Sequence, residues 1–585
     1  MNATASPETE LSATGLEAAL GDPEESARLS ARLDADEEFP AQLCARLDAF
    51  GLPAHYVPAE RGGALDDHER LVGMLRVVAR RDLSAAIAHA KTYLGAAPVW
   101  VAGNDEQAAA TAAAVCSGEP MAWALSEPDH GADLANGEVT ATRGPGGYRL
   151  DGAKWPINNA TRADRLVVLA RTGASGTARG HSLFLVDKRQ LPPGSWRALP
   201  KVATHGVRGI DISGIEFDAA RLPESALLGA EGSGLETVLR TLQLTRTLCT
   251  ALSLGAGEQA LRLTADFTAT RIIRQAPLAD VPRTRSIIAR CAALLAAAEA
   301  ASLVGARSVH SLTDEMGATS AVVKALAPTL TDAVIGDLAE LLGLRSFVTG
   351  MYPYSAFQKL WRDHQVVAVF DGSTPVNRAA LIQQFPRLVR GFARADVDAG
   401  GLAEAVVPGL RPRPLDYGAL TLTCRRGSSV VQSLPALAQT LARRGVPDGL
   451  AEHASALAVT TARISELMAE TPPAARPQMA AYELAAAYEL CYAGAACLHL
   501  WGSCAPARAD EPLWHEGLWA RAALRALRAR LAGLLRTPAP EPVPGDGAID
   551  TLLAAAVTEA AASGAPVTPF GAPALVLASQ IGASR

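Results

Sequence analysis

Apolar side chains recur at helical spacing toward both ends of the chain and in short β-rich runs between them. From residue 26 to 122, Leu33, Phe39, Leu43 and Leu47, then Leu71, Met74, Leu75 and Val78, mark amphipathic helices. Gly51 to Pro53 and Arg61 to Gly63 punctuate them, because glycine and proline interrupt helical runs. From 123 to 232 the runs shorten: Val139 to Thr142, Tyr148 to Asp151, Leu166 to Arg171, Ser182 to Asp187 and Gly214 to Phe217. Gly146-Gly147, Asp151-Gly152 and Pro193-Gly194 read as the turns between them, which predicts a small antiparallel β domain or barrel. Residues 233–395 return to helical text, with Ala- and Leu-rich segments at Ser286 to Leu312 and Ser320 to Leu342.

A Gly-, Pro- and Arg-rich stretch over 396–414 reads as a linker, and 415–585 as an additional helical domain. The polar first 25 residues read as a flexible leader. The whole predicts an α+β multidomain protein, a helical bundle with a β domain inserted. Leu434, Leu437 and Leu441, then Leu457, Ile464 and Leu467, then Leu524, Leu527 and Leu531, form stripes that need a surface to bury against. The expectation is that this last block folds onto the rest of the chain.

Composition narrows the class. Of 585 residues, 49% are hydrophobic and 19% charged, enough for a large core and too apolar for global disorder. A net charge of −6 argues against wholesale nucleic-acid binding. The eight cysteines form no CxxC pair and read as reduced, buried residues of a cytoplasmic protein. The histidines show no metal-ligand spacing, so no metal is expected. The acidic N-terminus lacks an apolar signal segment, and no uncharged run is long enough to span a bilayer.

Candidate chemistry centres on Asp371-Gly372-Ser373-Thr374, which follows the apolar run Val366 to Phe370. A lone carboxylate at the edge of an apolar wall suits a base that takes a proton from carbon. Asp-Gly is equally a common turn, so upstream text must decide. That text is ordered. It runs Gly51-Leu-Pro-Ala-His-Tyr-Val-Pro-Ala-Glu-Arg-Gly-Gly63, Trp123-Ala-Leu-Ser126-Glu127-Pro128-Asp-His-Gly131-Ala132-Asp133, and Leu150-Asp-Gly-Ala-Lys154-Trp-Pro-Ile-Asn158-Asn159. Pro200-Lys201 through Ser213 and Phe217, Thr245-Arg246, and Phe357-Gln-Lys359-Leu-Trp-Arg362-Asp363 ahead of Asp371 complete it. In this order and at these intervals the chain resembles the acyl-CoA dehydrogenase family over roughly residues 40–390.

The resemblance implies an acyl-CoA dehydrogenase-like fold and an FAD-dependent oxidoreductase. It implies oxidation of an acyl thioester, CoA- or carrier protein-bound, to the α,β-unsaturated form. Asp371 aligns with the family's catalytic glutamate as α-proton base, with FAD N5 as hydride acceptor, and Arg246 lies on the substrate-facing helix. Cofactor-side positions carried over are Trp123, Leu125, Ser126, Ala132, Ile157 and Asn158. Arg271 matches an arginine lent to the pyrophosphate by a partner subunit, and Ser373 a threonine near the base. Electron-transfer flavoprotein or oxygen is the expected acceptor.

The sequence also departs from the family's pattern. Asp371 replaces glutamate, and the shorter side chain is also what nitroalkane oxidases of this family use. A nitroalkane oxidase, a flavin-dependent monooxygenase and a non-catalytic paralogue are therefore the alternatives. Ala132 replaces a serine. Pro156 stands where a tryptophan is usual, with Trp155 one place earlier. Arg521, Arg525, Arg528 and Arg530 on an amphipathic segment read either as a packed helix or as a docking face for an acyl carrier protein. His130 reads as a solvent-facing loop residue, and Gly229 to Gly234 as a turn before a helix. Long family members carry a comparable helical extension, which implies a homodimer acting in fatty acid metabolism.

Overall fold

The computed structural model describes residues 13–572 and 574, apart from 175, 178 and 352. The chain forms two compact units. One comprises 32–66 and 82–245; the other comprises 13–31, 67–81 and 246–572 with 574, among described residues.

The first unit is built on an eight-stranded sheet. Its strands are β1 (Met121–Ala124), β2 (Thr140–Gly144), β3 (Gly147–Asn158), β4 (Arg165–Arg171), β5 (His181–Asp187), β6 (Trp196–Leu199), β7 (Ile212–Pro223) and β8 (Leu227–Leu228). The order is β6-β7-β3-β2-β4-β5-β8, with β1 parallel to β4. The middle of β4 is buried on both faces, which is why its sequence reads as a continuous apolar run rather than an alternation. Asp151-Gly152, expected as a turn, lies inside β3. The strand continues past it with a shift in register between Leu150 and Gly152. Gly152 has φ +117°, and a Cβ there would meet Val139 Cα at 3.1 Å, so the glycine permits a bulge rather than a reversal. A second shift falls at Pro156, which has no N–H to give the ladder. Helix Leu83–Ala102 packs against β1, capped by Asp82 accepting from Ala85 N at 2.8 Å.

Long helices make the second unit: the greater part of Gly234–Thr270, then Pro282–Ser311, Met316–Leu342 and Thr374–Arg394. Pro282–Ser311 and Thr313–Ser346 are apolar enough to cross a membrane, but 89% and 83% of their apolar windows are buried within the fold, as in core helices. Helices Leu450–Ala469, Met479–Arg508, Leu518–Leu535 and Ile549–Ser563 belong to this same unit. The last three pack directly on Pro282–Ser311.

Two loose segments expected from sequence are ordered here. Within the leader, Ala13–Ala19 is helical, with Leu16 and Leu20 buried and Glu17 paired to Arg80 at 3.0 Å and Arg81 at 3.1 Å; residues 1–12 lie outside the described residues. Within the linker, Ala399–Ala405 is a helix whose Glu404 carbonyl accepts from Arg307, as does that of Leu410. Long-range ion pairs in the leader, and hydrogen bonds from Arg307 to carbonyls of the linker, order text whose local composition favours flexibility.

Candidate active site

Asp371 sits in a short loop between the 3-10 turn Gln365–Ala368 and helix Thr374–Arg394. Lys324 fixes the turn, donating to Val367 O at 2.6 Å with its ammonium 5.3 Å from the centre of the Phe370 ring. Ser373 caps the helix, its hydroxyl accepting from Val376 N at 3.5 Å. Asn377 stitches the loop from below: its Nδ2 donates to Gly372 O at 2.6 Å and Ser373 O at 3.1 Å. Asp371 and Gly372 both hold positive φ, +55° and +89°. That is uncommon for a non-glycine residue and is an outlier worth a functional reading.

Helix Gly234–Thr270 presents two side chains to this loop. Arg246 Nε donates to the carbonyl of Asp371 at 3.2 Å. Cys249, one turn on, donates through Sγ to Asp371 Oδ2 at 3.4 Å. Arg246 is 6% exposed. Burial lowers its guanidinium to about 10 while Asp371 opposes that shift, so it remains a cation at neutral pH. The neighbouring Lys359-to-Asp363 motif is structural: Lys359 pairs with Asp363 at 2.6 Å, and His364 Nε2 lies 3.0 Å from Ser253 Oγ. Arg378 reaches Glu489 of helix Met479–Arg508 through two contacts of 2.9 Å.

The other motif residues lie on the sheet unit. Trp123 is on β1 and Ile157 and Asn158 end β3. The two motifs are cross-linked: Trp155 N donates to Ser126 O at 3.0 Å and Lys154 Nζ to Leu125 O at 2.9 Å. Lys154 also pairs with Glu127 at 2.7 Å. Burial lowers Lys154 to about 8 against the pull of Glu127. Glu127 itself falls below the usual carboxylate range, because Lys154 and the N–H groups of Glu138 and Val139 outweigh its burial. Ile157 is 2% exposed and turns into the sheet core, so only its backbone is available. Ala132 lies exposed in a loop, and Arg271 is exposed before the hairpin Ile272–Ile273 and Ala276–Pro277.

Known domains fit this layout in order. The description "Acyl-CoA dehydrogenase, N-terminal domain" matches residues 23–119, its middle domain 122–220 and its C-terminal domain 232–385. The chain belongs to the acyl-CoA dehydrogenase family. An acyl-CoA dehydrogenase of Bacillus subtilis is 28% identical over 355 residues, 60% of this chain and 90% of the relative. The human mitochondrial short-chain specific acyl-CoA dehydrogenase is 27% identical over 369 residues, 62% of this chain and 86% of the relative. A solved acyl-CoA dehydrogenase from Bacillus anthracis, complexed with FAD, matches 98% of this chain and 94% of its own at TM-score 0.69 and 18% identity, a likeness of fold. Members of this dehydrogenase family are FAD-dependent oxidoreductases.

Of the two readings offered for the arginine-bearing segment, the structure shows the packed helix, Leu518–Leu535. Arg521 is buried beside Asp546, Arg525 pairs with Asp550, and Arg528 donates to His453 Nδ1 at 2.8 Å. Cys249 is free and buried, as read from sequence, and it also touches the Asp371 carboxylate, which sequence did not show. Its spacing of three from Arg246 puts both on one helix face, the only local signal that could have singled it out.

Proposed function

We propose that the protein is an FAD-dependent oxidoreductase that desaturates an acyl thioester, with Asp371 as the base at the α-carbon. The observation that carries this is the Asp371 loop, held at positive φ and clasped by Arg246, Asn377 and Cys249.

The sheet unit suits a flavin. Trp123 Nε1 and Asn158 Oδ1 are buried with no hydrogen-bond partner among the described residues. A buried donor and a buried acceptor left unpaired are costly unless a ligand satisfies them. Trp123, Leu125, Ser126, Ile157 and Asn158 would hold the ring system, Ile157 through its backbone. The partner copy's equivalent of Arg271 would pair with the cofactor's pyrophosphate. FAD bound there would supply a two-electron acceptor for the hydrogen leaving the β-carbon.

The chain's own residues do the rest. The Asp371 carboxylate takes the α-proton. Arg246 holds the Asp371 carbonyl, so the loop cannot retreat as the proton moves. Its charge offsets the negative charge that builds on the substrate. Arg378 faces Glu489 and serves architecture rather than chemistry.

The acyl handle is CoA or a carrier protein, and the electrons pass to electron-transfer flavoprotein or oxygen. The aspartate at the base position also favours a second reading, oxidation of a nitroalkane. Anaerobic mixing with acyl-CoAs of varied length tests the proposal: flavin bleaching supports it. Peroxide release with nitroalkanes and no bleaching by any thioester would transfer the assignment to the second reading.

A further inference from the structure

We infer that Cys249 is a positioning residue for the base, its thiol compensating for the shortened carboxylate of Asp371. The inference rests on the reading of Asp371 as base and deepens it.

The geometry is specific. Arg246 and Cys249 stand one helical turn apart on the same face of helix Gly234–Thr270 and reach two different parts of one residue. The guanidinium takes the Asp371 carbonyl at 3.2 Å, and the thiol takes Oδ2 at 3.4 Å. The backbone is therefore held by one donor and the side chain by another. Gly372 closes the remaining space: a Cβ at that position would meet Arg246 Nη2 at 3.1 Å. Cys249 is 4% exposed, so water does not compete freely for the contact.

The need follows from chain length. An aspartate carboxylate sits about 1.5 Å further back than a glutamate carboxylate, one C–C bond. An error of ~1 Å at a reacting group can cost ~100-fold in rate. A short side chain must then be held in one rotamer to remain effective. A thiol is a weak donor, but donation to an ionised acceptor is stronger than to a neutral one, and sulfur's long bonds let it span the gap.

The test uses the full-length, FAD-loaded protein. Cys249→Val keeps bulk without a donor, Cys249→Ala avoids overpacking, and Cys249→Ser restores a donor. Flavin reduction by an acyl-CoA is followed anaerobically in each, across thioester concentrations, alongside the melting temperature and visible spectrum. The expected result is a loss of roughly tenfold in the limiting reduction rate for Val and Ala. The thioester concentration at half-saturation should stay unchanged, and Ser should recover most of the rate. Equal rates in all four proteins would overturn the inference, as would a serine variant as slow as valine. A rate loss tracking a lowered melting temperature in the alanine variant would also overturn it, in favour of simple packing. Asp371→Asn is run beside them. If it still bleaches, the base reading itself fails. If it does not, while the Cys249 variants match the parent, only this inference fails.

Discussion

Asp371 and Gly372 show how much one turn asks of its residues. Both backbones lie at positive φ, where a side chain is penalised by about 1–2 kcal/mol. The glycine also has Arg246 Nη2 and Asn377 Nδ2 each 3.1 Å from where a Cβ would sit. Gly372→Ala is therefore expected to lower stability by about 1–2 kcal/mol and to slow flavin reduction, because either Arg246 or the loop must move. A variant that melts and bleaches like the parent would remove the argument for a clasped loop. The candidate base was legible in sequence because Asp-Gly announces a turn locally and the upstream motifs stand in order. The clasp was not legible. Cys249 and Asp371 are 122 residues apart, and nothing local to either names the other.

Between elements, the buried ion pairs decide which helices belong together. Glu489 lies on Met479–Arg508 and is 1% exposed. Burial raises its carboxyl, and Arg378 pulls it back. Arg378→Met strands that charge, and the expected cost is about 3–5 kcal/mol near neutral pH. A carboxyl raised above its unfolded value is tolerated below the unfolded pKa and penalised as pH rises through the folded one. The deficit of Arg378→Met, measured by denaturant melts, should therefore shrink in acid. A deficit independent of pH would mean that Glu489 is not the stranded group.

Glu315 offers a cleaner case. Burial lifts it to about 7 even though Ser429 donates to it through both N–H and hydroxyl. The parent should lose the stability due to this group as pH climbs from about 5 through about 7, and Glu315→Gln should not. The variant's melting temperature relative to the parent should thus rise between about pH 5 and about pH 8. An unchanged difference would contradict the assignment. At this scale the strands were partly legible: β4 and β5 carry their own apolar runs. β3 was read as ending at Asp151-Gly152, because a turn dipeptide and a bulge dipeptide look alike without the partner strand. β1, β6 and β8, at four, four and two residues, are too short to announce themselves.

Across the whole molecule, the chain beyond the dehydrogenase domains is bound into a core rather than appended to it. Thr568 hydroxyl lies 2.8 Å from Arg76 Nη2, 3.2 Å from Glu258 and 2.9 Å from Glu299, three buried charged residues. Arg262 donates to the carbonyls of Ala560, Ala561 and Ala565. Sequence alone pointed to burial, since the apolar stripes needed a surface, but the partners depend on contacts as much as 492 residues apart. Truncation after Asp398 is accordingly expected to give insoluble protein. The intact chain should sediment as a homodimer, with the exposed Leu344 and Phe347, 74% and 80% accessible, covered by the second copy. A soluble, folded truncated chain, or an intact monomer, would contradict this.

The proposed role of Asp371 as base of an FAD-dependent thioester oxidation is tested by anaerobic stopped-flow mixing of an acyl-CoA with the parent and with Asp371→Asn, each carrying FAD and matched by visible spectrum. The parent flavin should bleach, and the variant should keep its yellow colour and its thioester binding but not bleach. Bleaching of the variant at the parent's rate would contradict it.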